Sequence, residues 1–131
     1  MILVFDPGES TGWVNWDPNR LLLGGTCGKN HTEVARKIEL YRPKVIVLER
    51  FNLYPSMAKS LVWNSFYPCE VIGVLRYLAC VYQAKLVEQA PSVKKFSGGL
   101  DEDWVGLRRR CEVSEHTKDA FLHLKYYLRN H

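Results

Sequence analysis

Two acidic residues stand at the ends of apolar segments, where they could contribute to a metal site. Asp6 closes the apolar run that begins at Ile2, and Glu49 closes a near-continuous apolar run that begins at Lys44. Because side chains alternate between the two faces of a strand, each acid shares a face with the apolar residue two positions before it. If the two strands are parallel neighbours, their carboxyl ends open one cleft and the two carboxylates meet there.

The last predicted helix supplies a third carboxylate and an imidazole. His116 and Asp119 have the spacing of residues on one helix face, and His123 follows Asp119 by one further turn. Carboxylates gathered in one place repel each other unless cations lie between them. Such oxygen-rich sites suit Mg²⁺ or Mn²⁺, and two of these ions can hold a phosphodiester and activate water for its hydrolysis. The candidate catalytic and metal-binding residues are therefore Asp6, Glu49, His116 and Asp119.

Each of these residues also has a purely structural interpretation. Asp6 precedes a Pro-Gly pair and could cap that turn, and Glu49 could be a solvated charge at the end of a strand. His116 and Asp119 could be surface charges near the start of a helix. The joint placement of all four on elements that should be neighbours favours the functional interpretation.

The hydrophobic pattern predicts the element order β-β-β-α-β-α-β-α, which is an α/β domain with a mixed sheet. An antiparallel meander comes first, and crossover connections follow it. The predicted strands are residues 1–6, 13–16, 20–24, 44–49 and 85–88. The predicted helices are 32–41, 58–82 with an interruption near Pro68, a short helical turn at 91–96, and 114–130, with a loop over 97–106.

Composition favours a single globular domain over residues 1–131. Apolar residues make up 47% of the chain and charged residues 24%, the profile of an ordinary core with a wet surface. The formal net charge of +4 is compatible with a polyanionic partner. No apolar run approaches the roughly 18 residues of a membrane span, and the first residues lack the basic region of a signal peptide. We therefore expect a cytoplasmic protein without a membrane partner.

Four segments resemble, in the same order, the RuvC-type Holliday junction resolvases of the RNase H-like nuclease superfamily. They are Ile2-Leu3-Val4-Phe5-Asp6-Pro7-Gly8 with Ser10-Thr11-Gly12-Trp13, then Val45–Glu49, then Gln89-Ala90-Pro91-Ser92-Val93-Lys94-Lys95, and then His116-Thr117-Lys118-Asp119-Ala120. The resemblance spans most of the chain and is to the small phage or bacterial forms. It implies an RNase H-like five-stranded mixed sheet of order 3-2-1-4-5 flanked by helices.

The resemblance also implies an activity. Family members are Mg²⁺- or Mn²⁺-dependent endonucleases that nick four-way junctions and other branched DNA, leaving a 5′-phosphate and a 3′-hydroxyl. Asp6, Glu49 and Asp119 match the metal-binding carboxylates, and His116 matches a fourth site position. Members dimerise, so the resemblance implies a homodimer that acts on DNA in a bacterial cell or a phage-infected host.

Basic and aromatic residues complete the predicted DNA interface. Lys94 and Lys95 match family residues near the phosphate backbone, and an arginine run and Lys118 could track phosphates beside them. The family carries an aromatic wedge after the catalytic Glu, followed by a Met-Ala-Lys stretch that is also present here at 57–59. The candidate DNA-binding residues are Lys59, Lys94, Lys95, Arg108, Arg109, Arg110 and Lys118, with Phe51 or Tyr54 as the wedge.

One departure from the family pattern bears on specificity, and three alternative functions compete with junction resolution. Residues 97–104 are acidic and glycine-rich where the family has a longer basic helix, which leaves the junction specificity open. The same acids would serve an RNase H-fold nuclease acting on flaps, RNA·DNA hybrid or structured RNA. A non-catalytic DNA-binding relative is disfavoured by the intact acid set. A nucleotide-binding domain of the actin or sugar-kinase type needs a second lobe, for which 131 residues leave no room.

Overall fold

A five-stranded mixed sheet forms the centre of the chain. The computed structural model describes residues 1–28, 30–51 and 67–131. Its strands are β1 (Ile2–Asp6), β2 (Gly12–Trp16), β3 (Leu23–Thr26), β4 (Val45–Glu49) and β5 (Lys85–Gln89). Its helices are α1 (His31–Tyr41), α2 (Tyr67–Val81), α3 (Glu102–Arg110) and α4 (Glu115–Asn130), with a 3₁₀ helix at Pro91–Phe96. No helix in these ranges is long and apolar enough to cross a membrane.

The order of the strands brings the carboxyl ends of β1 and β4 together. The sheet order is β3-β2-β1-β4-β5, as the resemblance implies. β1 and β2 are antiparallel, as are β2 and β3, whereas β4 runs parallel to both β1 and β5. Phe5 pairs with Leu48, so the next residue of each strand, Asp6 and Glu49, ends its strand at the same edge of the sheet. This is the edge at which the sequence predicts the site.

Alternation along β1 directs its side chains into two separate cores. Leu3 and Phe5 pack with residues of α1 and α2 on one face of the sheet. Val4 belongs to the cluster on the other face, which contains Phe121 and other residues of α4. Asp6 lies two positions after Val4 and therefore faces α4. The alternation thus directs the first predicted carboxylate toward the helix that carries the third.

A glycine lets α4 approach the sheet closely. A Cβ built on Gly12 would lie 2.1 Å from the backbone carbon of His116, so no larger residue fits between β2 and α4. The hydroxyl of Thr117 donates a hydrogen bond of 2.8 Å to the carbonyl oxygen of Gly25, which fixes the first turn of α4 against β3. Ser114 caps the helix through the backbone N–H of Thr117. The start of α4 is thereby held at the sheet edge where the acids lie.

Two predicted elements differ from the structure, and a third is only partly described. The third strand is Leu23–Thr26, shifted toward the carboxyl end from 20–24. The predicted loop 97–106 overlaps α3, whose cap Asp101 accepts hydrogen bonds from the backbone of the first turn. Trp104 and Leu107 anchor α3 in the core. Of the predicted helix 58–82, residues 58–66 lie outside the described ranges, and α2 contains Pro68 in its first described turn.

The close packing at Gly12 makes a testable prediction about stability. Gly12→Ala should lower the free energy of unfolding by about 3 kcal/mol, because the added carbon overlaps the backbone of α4. Gly73→Ala is the matched control, since a Cβ at this position in α2 meets nothing within 4 Å. It should raise the free energy of unfolding by about 0.5–1 kcal/mol. Urea unfolding measures both, and similar small changes at the two positions would contradict this packing.

Candidate functional site

Three carboxylates from three elements meet at the edge where β1 and β4 end. Asp6, Glu49 and Asp119 each offer one ligand atom, and these atoms lie within 4.8 Å of one another. Asp6 is buried, whereas the side chain of Asp119 is 29% exposed. The cluster therefore opens to solvent on the side of α4. The structure brings together the three acids that the strand ends and the helix spacing predicted.

His116 contacts this cluster through Asp6. Its Nδ1 lies 2.7 Å from Oδ2 of Asp6, and the Gly8 turn packs against the imidazole ring. Burial and the negative charge of Glu49 raise the pKa of Asp6 to about 7, although the hydrogen bond from His116 opposes the rise. Asp6 is thus the acid of the cluster whose ionised form is disfavoured. A direct role for His116 as a metal ligand stays a prediction.

Glu49 has the opposite electrostatic balance. Burial would raise the pKa of its carboxyl, but hydrogen bonds and positive charge from His123 and Lys94 outweigh burial and lower the pKa. Both contacts fall on the same oxygen, since Nε2 of His123 lies 2.8 Å and Nζ of Lys94 3.1 Å from Oε2. Of the two acids that end β1 and β4, Glu49 is therefore the one whose charged form is favoured by its surroundings.

Lys94 lies between two of the three acids. Its Nζ is 3.2 Å from Oδ2 of Asp119 in addition to its contact with Glu49. Burial would lower the pKa of Lys94, but the hydrogen bonds and charges of these two carboxylates raise it. The 3₁₀ helix after β5 delivers the ammonium group to this position. The resemblance predicted a phosphate-backbone contact for Lys94, and the structure adds that the residue is part of the carboxylate cluster itself.

His123 is the site residue to which the sequence analysis gave no role. It is fully buried, and its two ring nitrogens lie 2.8 Å from Glu49 and 2.7 Å from Oε1 of Gln89. Gln89 ends β5 and is the register partner of Glu49. The signal in the sequence was the shared helix face of His116, Asp119 and His123, but an inward-facing histidine between core residues is also typical of simple packing.

The predicted basic residues take different positions around the cluster. Arg108 and Lys118 line one shallow cleft beside the start of α4, and Lys118 also forms an ion pair with Glu115. Arg109 is exposed next to Arg108. Arg110 instead donates a hydrogen bond of 2.7 Å to the carbonyl oxygen of Leu22. Its guanidinium therefore supports the connection between β2 and β3. A phosphate contact by Arg108, Arg109, Arg110 or Lys118 stays a prediction.

The remaining predicted DNA-binding residues are only partly described. Lys95 is exposed, with its ammonium group 5.2 Å from the centre of the Phe96 ring. Phe51, one candidate wedge, is half-buried and packs against the core formed by α1 and α2. Tyr54, the other candidate, and Lys59 lie outside the described residues. The identity of the wedge therefore stays a prediction.

Three solved structures share this architecture over nearly the whole chain. RuvC of Thermus thermophilus in complex with a Holliday junction substrate is 18% identical, with a TM-score of 0.61, over 98% of this chain and 96% of that one. The fowlpox virus resolvase in complex with substrate Holliday junction DNA is 14% identical, with a TM-score of 0.62, over 98% and 99%. The yeast mitochondrial Holliday junction resolvase is 12% identical, with a TM-score of 0.55, over 98% and 77%.

This chain has the fold of the RuvC-type resolvases. The similarity lies in the structure, since no protein-family model and no curated protein sequence matches the chain. The RNase H-like sheet of this resolvase fold explains why acids far apart in sequence converge, because β1 and β4 end side by side under α4.

The donor set of this resolvase fold suits a hard divalent cation. Three carboxylates converge within 4.8 Å of one another, and oxygen ligands of this kind suit Mg²⁺ or Mn²⁺. The pKa of Asp6, raised to about 7 by burial and by the charge of Glu49, reflects a repulsion that a cation would relieve. Asp6, Glu49 and Asp119 are therefore the residues that could hold such an ion.

The raised pKa of Asp6 predicts a pH-dependent stability of the metal-free protein. Its value of about 7 in the folded state exceeds the ordinary 3.8, so the folded state binds more protons between these values. The free energy of unfolding should therefore fall as the pH rises from about 4 to about 7. Asp6→Asn removes the titrating group and should raise the free energy of unfolding at about pH 8 by on the order of 2 kcal/mol.

Urea unfolding in EDTA at about pH 5 and about pH 8 measures this effect. Glu39→Gln, at an exposed carboxylate of α1, is the control and should change the stability little at either pH. A variant Asp6→Asn that is less stable than the parent protein at the higher pH would contradict the electrostatic cost assigned to Asp6.

Proposed function

We propose that this protein is a metal-dependent, structure-specific endonuclease that nicks Holliday junctions and related branched DNA. The observation that carries the proposal is the convergence of Asp6, Glu49 and Asp119 at the strand ends of a resolvase fold. Two solved structures with this fold are complexes with Holliday junction DNA. Hydrolysis would leave a 5′-phosphate and a 3′-hydroxyl, the products that the family resemblance implies.

The side chains of the cluster have distinct roles in this proposal. Asp6, Glu49 and Asp119 would hold two Mg²⁺ or Mn²⁺ ions, which when bound activate water and neutralise the charge that develops on the phosphodiester. His116 orients the Asp6 carboxyl through its hydrogen bond of 2.7 Å and can share the proton of that acid. Lys94 supplies a positive charge beside Glu49 and Asp119, where a phosphate group would enter.

We also propose that two copies act together on one junction. A four-way junction is roughly two-fold symmetric, and a two-fold dimer would apply one site to each of two matched strands. An apolar groove between α1 and α2, with Tyr77 and Val81 exposed on α2, supports a self-association surface on the side of the sheet away from α4. Sedimentation of the purified protein with and without junction DNA tests this part of the proposal.

Loss of one cluster acid should separate cleavage from binding. Asp6→Asn should reduce junction nicking by more than about 10³-fold, because metal-held charge supplies most of the rate, while junction affinity in EDTA stays within about threefold. The assay compares labelled four-way junction, flap, linear duplex and RNA·DNA hybrid with Mg²⁺, with Mn²⁺ and with EDTA. Asp103→Asn, at an exposed acid of α3, is the control.

The outcomes of this assay discriminate the candidate substrates. Symmetric nicking of the junction alone supports the proposed resolvase. Cleavage of flaps or hybrids instead would keep the metal site and replace the substrate, whereas near-normal nicking by Asp6→Asn would overturn the site. Tight junction binding by the parent protein without cleavage of any substrate would favour a non-catalytic relative.

The salt dependence of binding should distinguish the two ends of the arginine run. If Arg108 contacts a phosphate, Arg108→Ala should lower the slope of log affinity against log salt by about 1, because one fewer counterion is released. Arg110→Ala is the matched control, since the guanidinium of Arg110 is held by the carbonyl oxygen of Leu22. Junction binding in EDTA across a salt series measures the slopes, and equal losses for the two variants would contradict this assignment.

A further inference from the structure

An imidazole is buried beneath the carboxylate cluster in a position that an apolar residue would normally fill. His123 is fully buried on the face of α4 that also carries Ala120 and Leu124 into the core. A polar ring in such a place is costly unless its nitrogens are paired. Both nitrogens are paired here, Nε2 with Glu49 and Nδ1 with Gln89. The ring is therefore held in one orientation from two sides.

The two partners of the ring end adjacent strands. Glu49 and Gln89 are register partners in the parallel β4–β5 pair, and each is the last residue of its strand. His123 of α4 bridges these two strand ends from below the site. Its contacts thus connect a candidate metal ligand to the edge strand β5.

Nε2 of the His123 ring faces Glu49, and it must carry a proton because an ionised carboxylate only accepts hydrogen bonds. If Oε1 of Gln89 accepts a hydrogen bond from Nδ1, the ring carries protons on both nitrogens and Nε2–H donates to Glu49. If the amide is rotated by half a turn, its amino group donates to Nδ1 and the single ring proton lies on Nε2. The rotation would also pair Nε2 of Gln89, which is buried without a hydrogen-bond partner in the described chain. In both arrangements the Nε2–H group of His123 donates to Glu49.

We propose that His123, oriented by Gln89, is a positioning residue that fixes the Glu49 carboxylate for binding of the divalent ion. This inference rests on the proposed function and concerns the same site. Among the described residues, the contacts of His123 and Lys94 with Glu49 both fall on Oε2, so Oε1 is the oxygen that this carboxylate could offer to an ion. Lys94 is shared with Asp119 and partly exposed, so an incoming phosphate could draw it away. The buried imidazole would then remain as the contact that keeps Glu49 in place.

Three substitutions at position 123 separate positioning from packing. His123→Leu fills the space and removes the donor to Glu49. His123→Gln keeps an N–H donor close to the position of Nε2, whereas His123→Asn keeps a polar group close to Nδ1 and loses the contact with Glu49. We expect the Leu and Asn variants to bind Mn²⁺ about 10–100-fold more weakly than the parent protein, and the Gln variant to bind within about threefold of it.

Calorimetric titration of the DNA-free protein with Mn²⁺ is the primary measurement, because it does not depend on nuclease activity. The Mn²⁺ concentration for half-maximal junction nicking should rise by the same factor, while junction affinity in EDTA should stay unchanged. Leu124→Ala, at the adjacent core position, is the control for lost stability and should leave Mn²⁺ affinity within about twofold. Gln89→Leu should weaken Mn²⁺ binding by a smaller factor, about three- to tenfold.

Each outcome decides the inference. Equal Mn²⁺ affinity in all folded variants, or affinity that follows only the melting temperature, overturns a positioning role, as does failure of the parent protein to bind Mn²⁺. The predicted pattern of affinities in a protein that nicks no DNA supports the role of His123 and overturns the proposed nuclease instead. If His123→Leu does not fold, the contrast between His123→Gln and His123→Asn carries the test.

Discussion

Repulsion between carboxylates at the joined ends of β1 and β4 is the constraint that organises the rest of the site. Asp6 and Glu49 lie there because the parallel pairing of their strands brings both carboxyl ends to one edge, and Asp119 joins them from α4. Isolated charges at this spacing would destabilise the fold. The two carboxylates at the strand ends are stabilised to different extents. Glu49 receives two hydrogen-bond donors, whereas Asp6, more deeply buried, has a pKa near 7 as a consequence of its burial and of the charge of Glu49.

The approach of α4 to the sheet decides whether the third acid joins the other two. Gly12 removes the side chain that would separate β2 from the helix, and the Thr117 hydroxyl anchors the first turn to the Gly25 carbonyl. None of the residues that make these contacts is a candidate metal ligand or catalytic residue. They nevertheless determine the distance between the helix and the strand ends, which is why the opening turn of the chain and the start of its last helix contribute jointly to the site.

The strand ends and the helix spacing could be predicted from sequence because each depends on a local period. Asp6 and Glu49 follow apolar runs, and His116 and Asp119 share a helix face, so their convergence needed only the order of the strands. The contacts of Lys94 and His123 could not be predicted in the same way. They depend on where β5 ends and on how the following 3₁₀ helix turns, which are tertiary properties that no local spacing encodes.

Glycine explains two of the errors in the predicted elements. β3 contains Gly24 and Gly25, which have low strand propensity, and their small size serves the packing of Trp13, Leu107 and the Glu112 backbone rather than the strand itself. The Gly98-Gly99 pair and the acidic residues after it indicated a loop. The same acidic residues cap and begin α3, and its burial depends on Trp104 and Leu107 further along the chain.

Helix α4 contacts the site through three side chains, each of which pairs with a residue of a different element. His116 contacts Asp6 of β1, Asp119 contacts Lys94 of the 3₁₀ helix, and His123 contacts Glu49 of β4. A slip of the helix by one residue would move each side chain by about 1.5 Å along the axis and about 100° around it, so all three contacts would be lost together. Only one register of the helix therefore supports the three contacts. The three contacts thus depend on a single property of the structure, the register of α4 against the strand ends.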